Sequence, residues 1–280
     1  MNQNKIPATI RILTLNSEKV LRRCLESCKD FDEILIFDGN STDKTLQIAG
    51  EFGARIEKQF PGRDEPNIPI TDWAEMVTRA LYAAKYDWVF YLDSDEAMPQ
   101  GLVEEIRTIV MNPQIEYYVY KIPNRIIYLG REILYATPYP GYQKRLLNRK
   151  CGARYEKSPH YHLIYDEKKY KTGATKNPWY VYIDQEEEPL KKRFIILEAL
   201  DSKSQNWRQF LYWSIWKKLG TALKIFVKIT FMYARHGFKH TLPFRMEFLR
   251  VQNKLVLTYY LIRMRIFGQD IEKLMPRENI

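Results

Sequence analysis

Hydrophobic positions come in short runs through the first third of the chain, and each run stops at a cluster of polar residues. Residues 8–14 (ATIRILT) are apolar and end at Leu15-Asn16-Ser17-Glu18, the pattern of a buried strand closing on a loop. Between Glu18 and Lys29, apolar or small residues fall at 20, 21, 24, 25 and 28, a helical spacing. EILIFD (33–38) predicts a second buried strand, and Gly39-Asn40-Ser41-Thr42-Asp43 supplies a turn before a helix that starts at Thr45. Ala54–Glu57 predicts a third strand, residues 61–72 a Pro-, Gly- and charge-rich loop, Trp73–Lys85 a helix and Trp88–Leu92 a strongly apolar strand. Strands alternating with helices predict an α/β fold with a mostly parallel sheet, whose ligands bind beyond the carboxyl ends of the strands. Asn16, Asp38, Asp93 and Asp95 all fall at such ends.

After Pro113 the pattern changes. YYVYKIP, IIYL, YQKRLLN and YHLIY are short aromatic or β-branched runs divided by Gly and Pro, which predicts mixed or antiparallel strands. From about residue 187 the chain reads as helical, with breaks near Gly220 and at His236–Pro243. The domain organisation expected is therefore a catalytic-type α/β domain over 1–186 and a helical region over 187–280.

Charge sharpens that division. The chain carries a formal net charge of +10, yet Lys203–Arg265 holds thirteen Lys or Arg against one acid, Glu247. The basic character thus belongs to the C-terminal third and points to a localised anionic partner, phospholipid or nucleic acid. Lys217, Lys224, Lys228 and Arg235 share one helical face beside a wide face of Trp, Leu, Phe and Val, as in a helix lying in a membrane interface. No uncharged stretch approaches the ~20 residues of a transmembrane span, and no nucleic-acid motif accompanies the bases. Cys24, Cys28 and Cys151 offer no paired pattern for zinc, and the four-residue spacing of the first two suits packing on one helix face. With no apolar run of signal-peptide length in MNQNKIPATIRIL, the expected location is cytoplasmic, peripheral on the inner face of the membrane.

Asp93-Ser94-Asp95 follows an apolar strand, and alternate acids in a turn can converge on one hard cation, Mg2+ or Mn2+, with substrate phosphate completing the shell. Asp38 ends a buried strand, where a charge needs a partner, and the glycine after it allows close approach of a ligand. Asp43, Ser41 and Thr42 each suit a helix cap. A nucleotidyltransferase would show a Gly-rich basic loop after the first strand, and Leu13–Glu18 is not one.

Asn16, DGNSTDKT at 38–45 and WVFYLDSDE at 88–96, with Arg145-Leu146-Leu147 and His160 further on, together resemble the family-2 glycosyltransferases, in particular bacterial enzymes of lipopolysaccharide-core and envelope-glycan assembly. The resemblance covers roughly residues 8–165. It implies a GT-A nucleotide-binding sandwich and an inverting transfer from a nucleotide sugar, UDP-linked, to an envelope glycan or lipid-linked acceptor. By the same resemblance Asp38 would meet the nucleotide base, Thr14 and Asn16 would line its pocket, and Asp93 would reach the ribose or metal. Asp95 would ligate the metal, Arg145 would lie near phosphate, and Glu96 would sit beside the acceptor. The sequence departs from the family at Asn16-Ser17, Val77-Thr78-Arg79-Ala80-Leu81 and His160-Tyr161, changes that leave the metal site intact and bear on the acceptor-side assignments. Inverting transfer needs a general base. Glu96, Glu156, Asp166 and His160 are candidates, with Glu96 preferred because it adjoins the metal site. His160 and His162 also suit purely structural roles. The competing function is a non-catalytic glycan- or nucleic-acid-binding protein that uses the basic helices; the partners expected are donor, acceptor and an anionic membrane surface, not nucleic acid.

Overall fold

Apolar side chains on both faces of a parallel strand demand cover on both sides, and the chain supplies it. The structure, a computed structural model, describes residues 5–70, 72–156, 162–184 and 205–268. Two compact units emerge: residues 1–127 with 140–182, and residues 128–139 with 183–280.

In the first unit, β1 (Ile6–Thr14), β2 (Phe31–Asp38), β3 (Arg55–Lys58) and β4 (Trp88–Asp93) pair in parallel, in the order β3-β2-β1-β4. β8 (Tyr142–Asn148) runs antiparallel to β4, and β6 (Val119–Tyr128) antiparallel to β8, so the second half of the sheet reverses direction as the aromatic runs predicted. The path continues through β12 (Trp179–Ile183) to the two-residue β5 (Glu96–Ala97), while β11 (Thr172–Ala174) joins β6; the two-residue β7 (Arg131–Glu132) falls in the second unit. β9 (Arg154–Glu156) and β10 (His162–Ile164) form a separate two-stranded ribbon.

Alternation along β1 and β4 divides the core. Ile10, Ile12, Phe90 and Leu92 face α1 (Leu21–Glu26), α2 (Thr45–Glu51) and α4 (Gln100–Met111), where Cys24 and Cys28 are fully buried. Leu13, Leu35, Phe37 and Val89 face α3 (Trp73–Tyr82) through Met76, Val77, Ala80 and Leu81. Each such large side chain removed from water contributes about 1.5–3 kcal/mol. With both faces covered, β1, β2 and β4 are held at one level, and all three end on the same edge.

The second unit is built on α5 (Lys217–His236) and α6 (Phe244–Phe267). A short turn, Trp207–Gln209, and a π-helical stretch, Phe210–Trp216, lead into α5 without interruption. Phe210 packs with Leu257, Leu261 and Met264, and Ala222 and Ile229 pack with Val251. The break expected near Gly220 does not occur. Gly220 lies in an open position inside α5, where one glycine costs about 1 kcal/mol of helix propensity, which packing along α6 outweighs. The second break is real: α5 ends at Gly237, whose φ is +67°, and Pro243 precedes α6.

Residues 128–139 belong to this unit, although nothing in their pattern assigns them there. Leu134 N–H donates to His240 O at 2.9 Å, Leu242 N–H donates to Tyr135 O at 3.1 Å, and Tyr135 stacks on His236 at 3.7 Å. Fully buried Glu247 accepts the Thr137 N–H at 2.7 Å and also the Thr137 hydroxyl. The only acid of the basic segment is thus spent inside the unit. The boundary expected at 186/187 lies outside the described residues.

Candidate active site

The loops that leave β1 and β2 are woven together at the carboxyl edge of the sheet. Asp38 ends β2 and is buried. Its Oδ1 accepts the hydroxyls of Thr14 (2.7 Å) and Ser41 (2.6 Å), and its Oδ2 accepts Ser41 N–H (2.7 Å). Asn16 adopts a left-handed φ of +50°, a conformation that asparagine tolerates. Its backbone N–H donates to Ser41 Oγ, and its side-chain amide accepts Thr42 N–H and donates to Asn67 Oδ1, each at 2.9 Å. Asp43 reaches Thr45 N–H at 2.9 Å, at the start of α2, and Glu18 N–H at 3.0 Å. Of the three residues suited to cap α2, Asp43 therefore bonds its first N–H, while Ser41 serves Asp38.

Gly39 has a different use from the one expected. A Cβ there would stand 2.8 Å from Ile68 O and 3.1 Å from Gln59 Oε1, so the glycine admits these two residues of the same chain. Ile68 N–H donates to Gly39 O at 2.8 Å, and the Asn40 amide donates to the carbonyls of Arg63 (3.0 Å) and Glu65 (2.8 Å).

At the end of β4 the chain turns sharply through Asp93-Ser94-Asp95, and Glu96 holds the turn from within. Glu96 Oε2 accepts Asp93 N–H at 3.0 Å and Arg145 Nη1; Glu96 Oε1 accepts Arg145 Nη2 at 2.9 Å and Trp179 Nε1 at 2.9 Å. Arg145 and Glu96 are both buried, and the Trp179 ring lies 4.2 Å from the guanidinium carbon. Burial pushes the Glu96 carboxyl up against the pull of Arg145. Burial also works against the guanidinium charge, yet Glu96 and Asp93 outweigh it and leave the Arg145 pKa raised. The two shifts favour opposite states of the pair. Four donors aimed at one carboxylate decide for the ionised form.

Asp93 and Asp95 are what this buried pair displays. Asp93 is 41% exposed, with Oδ2 3.6 Å from Arg145 and Oδ1 accepting the Tyr91 hydroxyl. Asp95 is exposed at the surface, yet burial of its carboxyl and then the charge of Asp93 raise its pKa. Ser94 Oγ meets Ser17 Oγ at 3.1 Å, tying this turn to the loop after β1. Tyr91 also lines a recess of about 350 Å³ with Gln143, Lys144, Tyr155, His162 and Leu163.

Residues 9–168 match glycosyl transferase family 2 over more than half of the chain. The chain belongs to that family. A Rickettsia typhi glycosyltransferase is 32% identical over 124 residues, which cover 42% of this chain and 38% of the relative. The lipopolysaccharide core biosynthesis glycosyltransferase LpsC of Rhizobium meliloti is 32% identical over 100 residues, 36% of either chain. The chain thus spans well under half the length of these relatives. Among solved structures, S. aureus TarS 1–349 in complex with UDP-GlcNAc aligns over 94% of this chain and 93% of that one, at 15% identity and a TM-score of 0.48.

The other expected site residues are held by their own neighbours. Asp38 is buried and shapes the loop, with two hydrogen bonds on Oδ1 and one on Oδ2, which leaves acceptor capacity on Oδ2. Arg145 is not a free phosphate-binding arm, and Glu96, with two donors on each oxygen, is not placed to take a hydroxyl proton. Glu156 pairs with Arg154 at 2.6 Å, and Asp166 closes a turn onto the N–H groups of Lys168 and Lys169. His160 lies outside the described residues. Trp179, which holds Glu96, stands in no motif and has no signal in the sequence beyond being aromatic, while Tyr91, which holds Asp93, lies in the WVFYLDSDE segment as one of its apolar strand residues.

Among the described residues no three His, Cys, Asp or Glu side chains stand close enough to hold a metal ion. Asp93 and Asp95 are nevertheless a hard-oxygen pair; burial, and after it the charge of Asp93, raises the Asp95 pKa, and a divalent cation would relieve the repulsive part. That donor set fits magnesium or manganese sharing its shell with substrate phosphate.

Two outcomes follow from this geometry. Arg145→Ala strands Glu96 as a buried unpaired charge and should cost about 3–5 kcal/mol of stability, read by denaturant unfolding; a loss below about 1 kcal/mol would show that the pair is solvated. A carboxyl with a raised folded pKa contributes stability that is present below its unfolded pKa and lost as pH rises through the folded value. Metal-free Asp95→Asn should therefore melt above the unmodified protein at pH 7, with the gap closing below about pH 4. A gap that widens toward acid would reverse the assignment.

Proposed function

We propose that this family-2 chain is an inverting, metal-assisted glycosyltransferase that moves a sugar from a UDP-linked donor to a cell-envelope glycan or lipid-linked acceptor, at an anionic membrane surface on the cytoplasmic side. The observation that carries the reading is the presentation of Asp93 and Asp95, at the carboxyl edge of a parallel sheet, by a buried Arg145–Glu96 pair. Such an edge is where an α/β sheet receives a nucleotide. A magnesium or manganese ion between those carboxylates and the diphosphate would neutralise the leaving group.

The other residues serve that edge. Thr14, Asp38 and Asn16 hold the loops that border the donor in a single conformation, which lowers the ordering cost of binding. Arg145 acts by fixing Glu96, and Glu96 by fixing the Asp93 turn, so both are positioning residues. The acceptor enters the recess lined by Tyr91, Lys144 and His162, because Tyr91 joins that recess to Asp93 through its hydroxyl. His162 is the side chain in that recess suited to accept the acceptor's hydroxyl proton.

A thermal-shift panel of nucleoside diphosphates with and without manganese tests the donor reading. UDP at a hundred times its dissociation constant should stabilise the fold by about 2.7 kcal/mol, in a manganese-dependent way that Asp95→Ala abolishes. No shift with any nucleotide sinks the reading in favour of a non-catalytic binding protein. The base assignment has its own readout: His162→Ala should lower kcat about a hundredfold or more and leave the UDP shift intact. An unchanged kcat removes His162 from the reaction.

A further inference from the structure

The side of α5 that packs on α6 is marked by the buried residues Ala222 and Ile229. At 3.6 residues per turn, Leu223, Val227 and Phe231 project from the opposite side, and Trp216 precedes them at the end of the π-helical stretch that leads into α5. Trp216, Leu223, Val227 and Phe231 are 68%, 64%, 43% and 72% exposed. Large apolar residues at steps of four, pointing away from the unit's core, reverse the usual order of an amphipathic helix, whose outer face is polar. Lys217, Lys224, Lys228 and Arg235 form a row along one flank of that stripe, and Lys217 Nζ lies 3.7 Å from the Trp213 ring.

We infer that this outer face of α5 docks on an anionic phospholipid bilayer, with the helix lying in the plane of the interface. The inference deepens the membrane part of the functional reading and is independent of the donor chemistry. Three observations choose this occupant. Among the described residues no helix is long and apolar enough to cross a membrane, so α5 lies on a bilayer and does not span one. Glu247, the sole acid between Lys203 and Arg265, is fully buried against Thr137, so the exposed charge of this segment is entirely positive. A second copy packed face to face with its helix antiparallel would set this row of bases against its own like charges, and packed parallel would leave the row without a counter-charge. A bilayer bearing acidic headgroups answers both features: acyl chains take the Trp, Leu and Phe side chains, and the headgroups take the lysines and Arg235. α5 is about 30 Å long, so bound flat it would hold the protein at the surface where a lipid-linked acceptor lies.

Co-sedimentation of the full chain with vesicles tests the inference. Binding is expected to phosphatidylglycerol vesicles, at least about tenfold weaker to phosphatidylcholine vesicles or in high salt. Lys224→Glu with Lys228→Glu should lower the affinity for anionic vesicles by about tenfold or more, and Leu223→Ser with Phe231→Ser should do the same. All four positions are exposed, so the melting temperature and the UDP shift should stay unchanged in both variants. Equal binding to neutral and anionic vesicles overturns the inference. So does a dimer, seen by light scattering, that Leu223→Ser with Phe231→Ser dissociates while vesicle binding is absent. Vesicle binding without any nucleotide shift supports this docking and counts against the donor site; a nucleotide shift without vesicle binding does the reverse.

Discussion

Carrying a guanidinium and a carboxylate into the interior of a sheet is costly unless every remaining lone pair and proton is answered. Here the answer comes from three sides. The Trp179 indole and the Asp93 backbone N–H take up what the Arg145 fork leaves of Glu96, and the Trp179 and Tyr91 rings approach the guanidinium at 4.2 and 4.9 Å. Because one of those donors is the backbone of Asp93, the pair does more than neutralise itself: it sets the direction in which the chain leaves β4. The exposed carboxylates depend on the buried one.

The same economy governs the loops beside them. Polar groups at the ends of β1 and β2 are satisfied by each other before any ligand arrives, through Asp38, Ser41, Asn16 and Asn67. Ile68, Gln59 and Leu15 fill the space a side chain at position 39 would occupy. A surface built this way loses little conformational entropy when it binds, since its backbone is already placed. The carboxylates kept exposed, Asp93 and Asp95, are the ones whose mutual repulsion a cation would lower.

The second unit spends its polar groups differently. The one acid between Lys203 and Arg265 is turned inward to secure residues 128–139, while the bases of α5 such as Lys217, Lys224 and Lys228 stay outside beside exposed aromatic and aliphatic side chains. An enzyme whose acceptor is tethered to a surface gains from being held there, because the encounter then takes place in two dimensions at a raised local concentration.

Periodicity alone was enough to place β1, β2, β4, α1 and α3 within a few residues, since strands buried on both faces and helices buried on one leave patterns that nothing else in the chain imitates. The DGNSTDKT and LDSDE segments likewise located the edge of the sheet where the site lies. Those features are local, and local spacing determines them. The roles of Glu96, Arg145 and Asp38 were not local. Whether a carboxylate is a base, a ligand or an internal anchor depends on which donors reach it, and those donors are Trp179 and Arg145, 83 and 49 residues from Glu96, and Thr14, 24 residues from Asp38. Gly220 and residues 128–139 teach the same lesson in the second unit, where packing on α6 carried α5 through a glycine and the strap of 128–139 was claimed by Glu247. Sequence by itself determined which residues form the elements and where their ends gather; tertiary structure decided which charged groups are consumed in holding that edge and which remain free to act, because pairing is settled by distance in space.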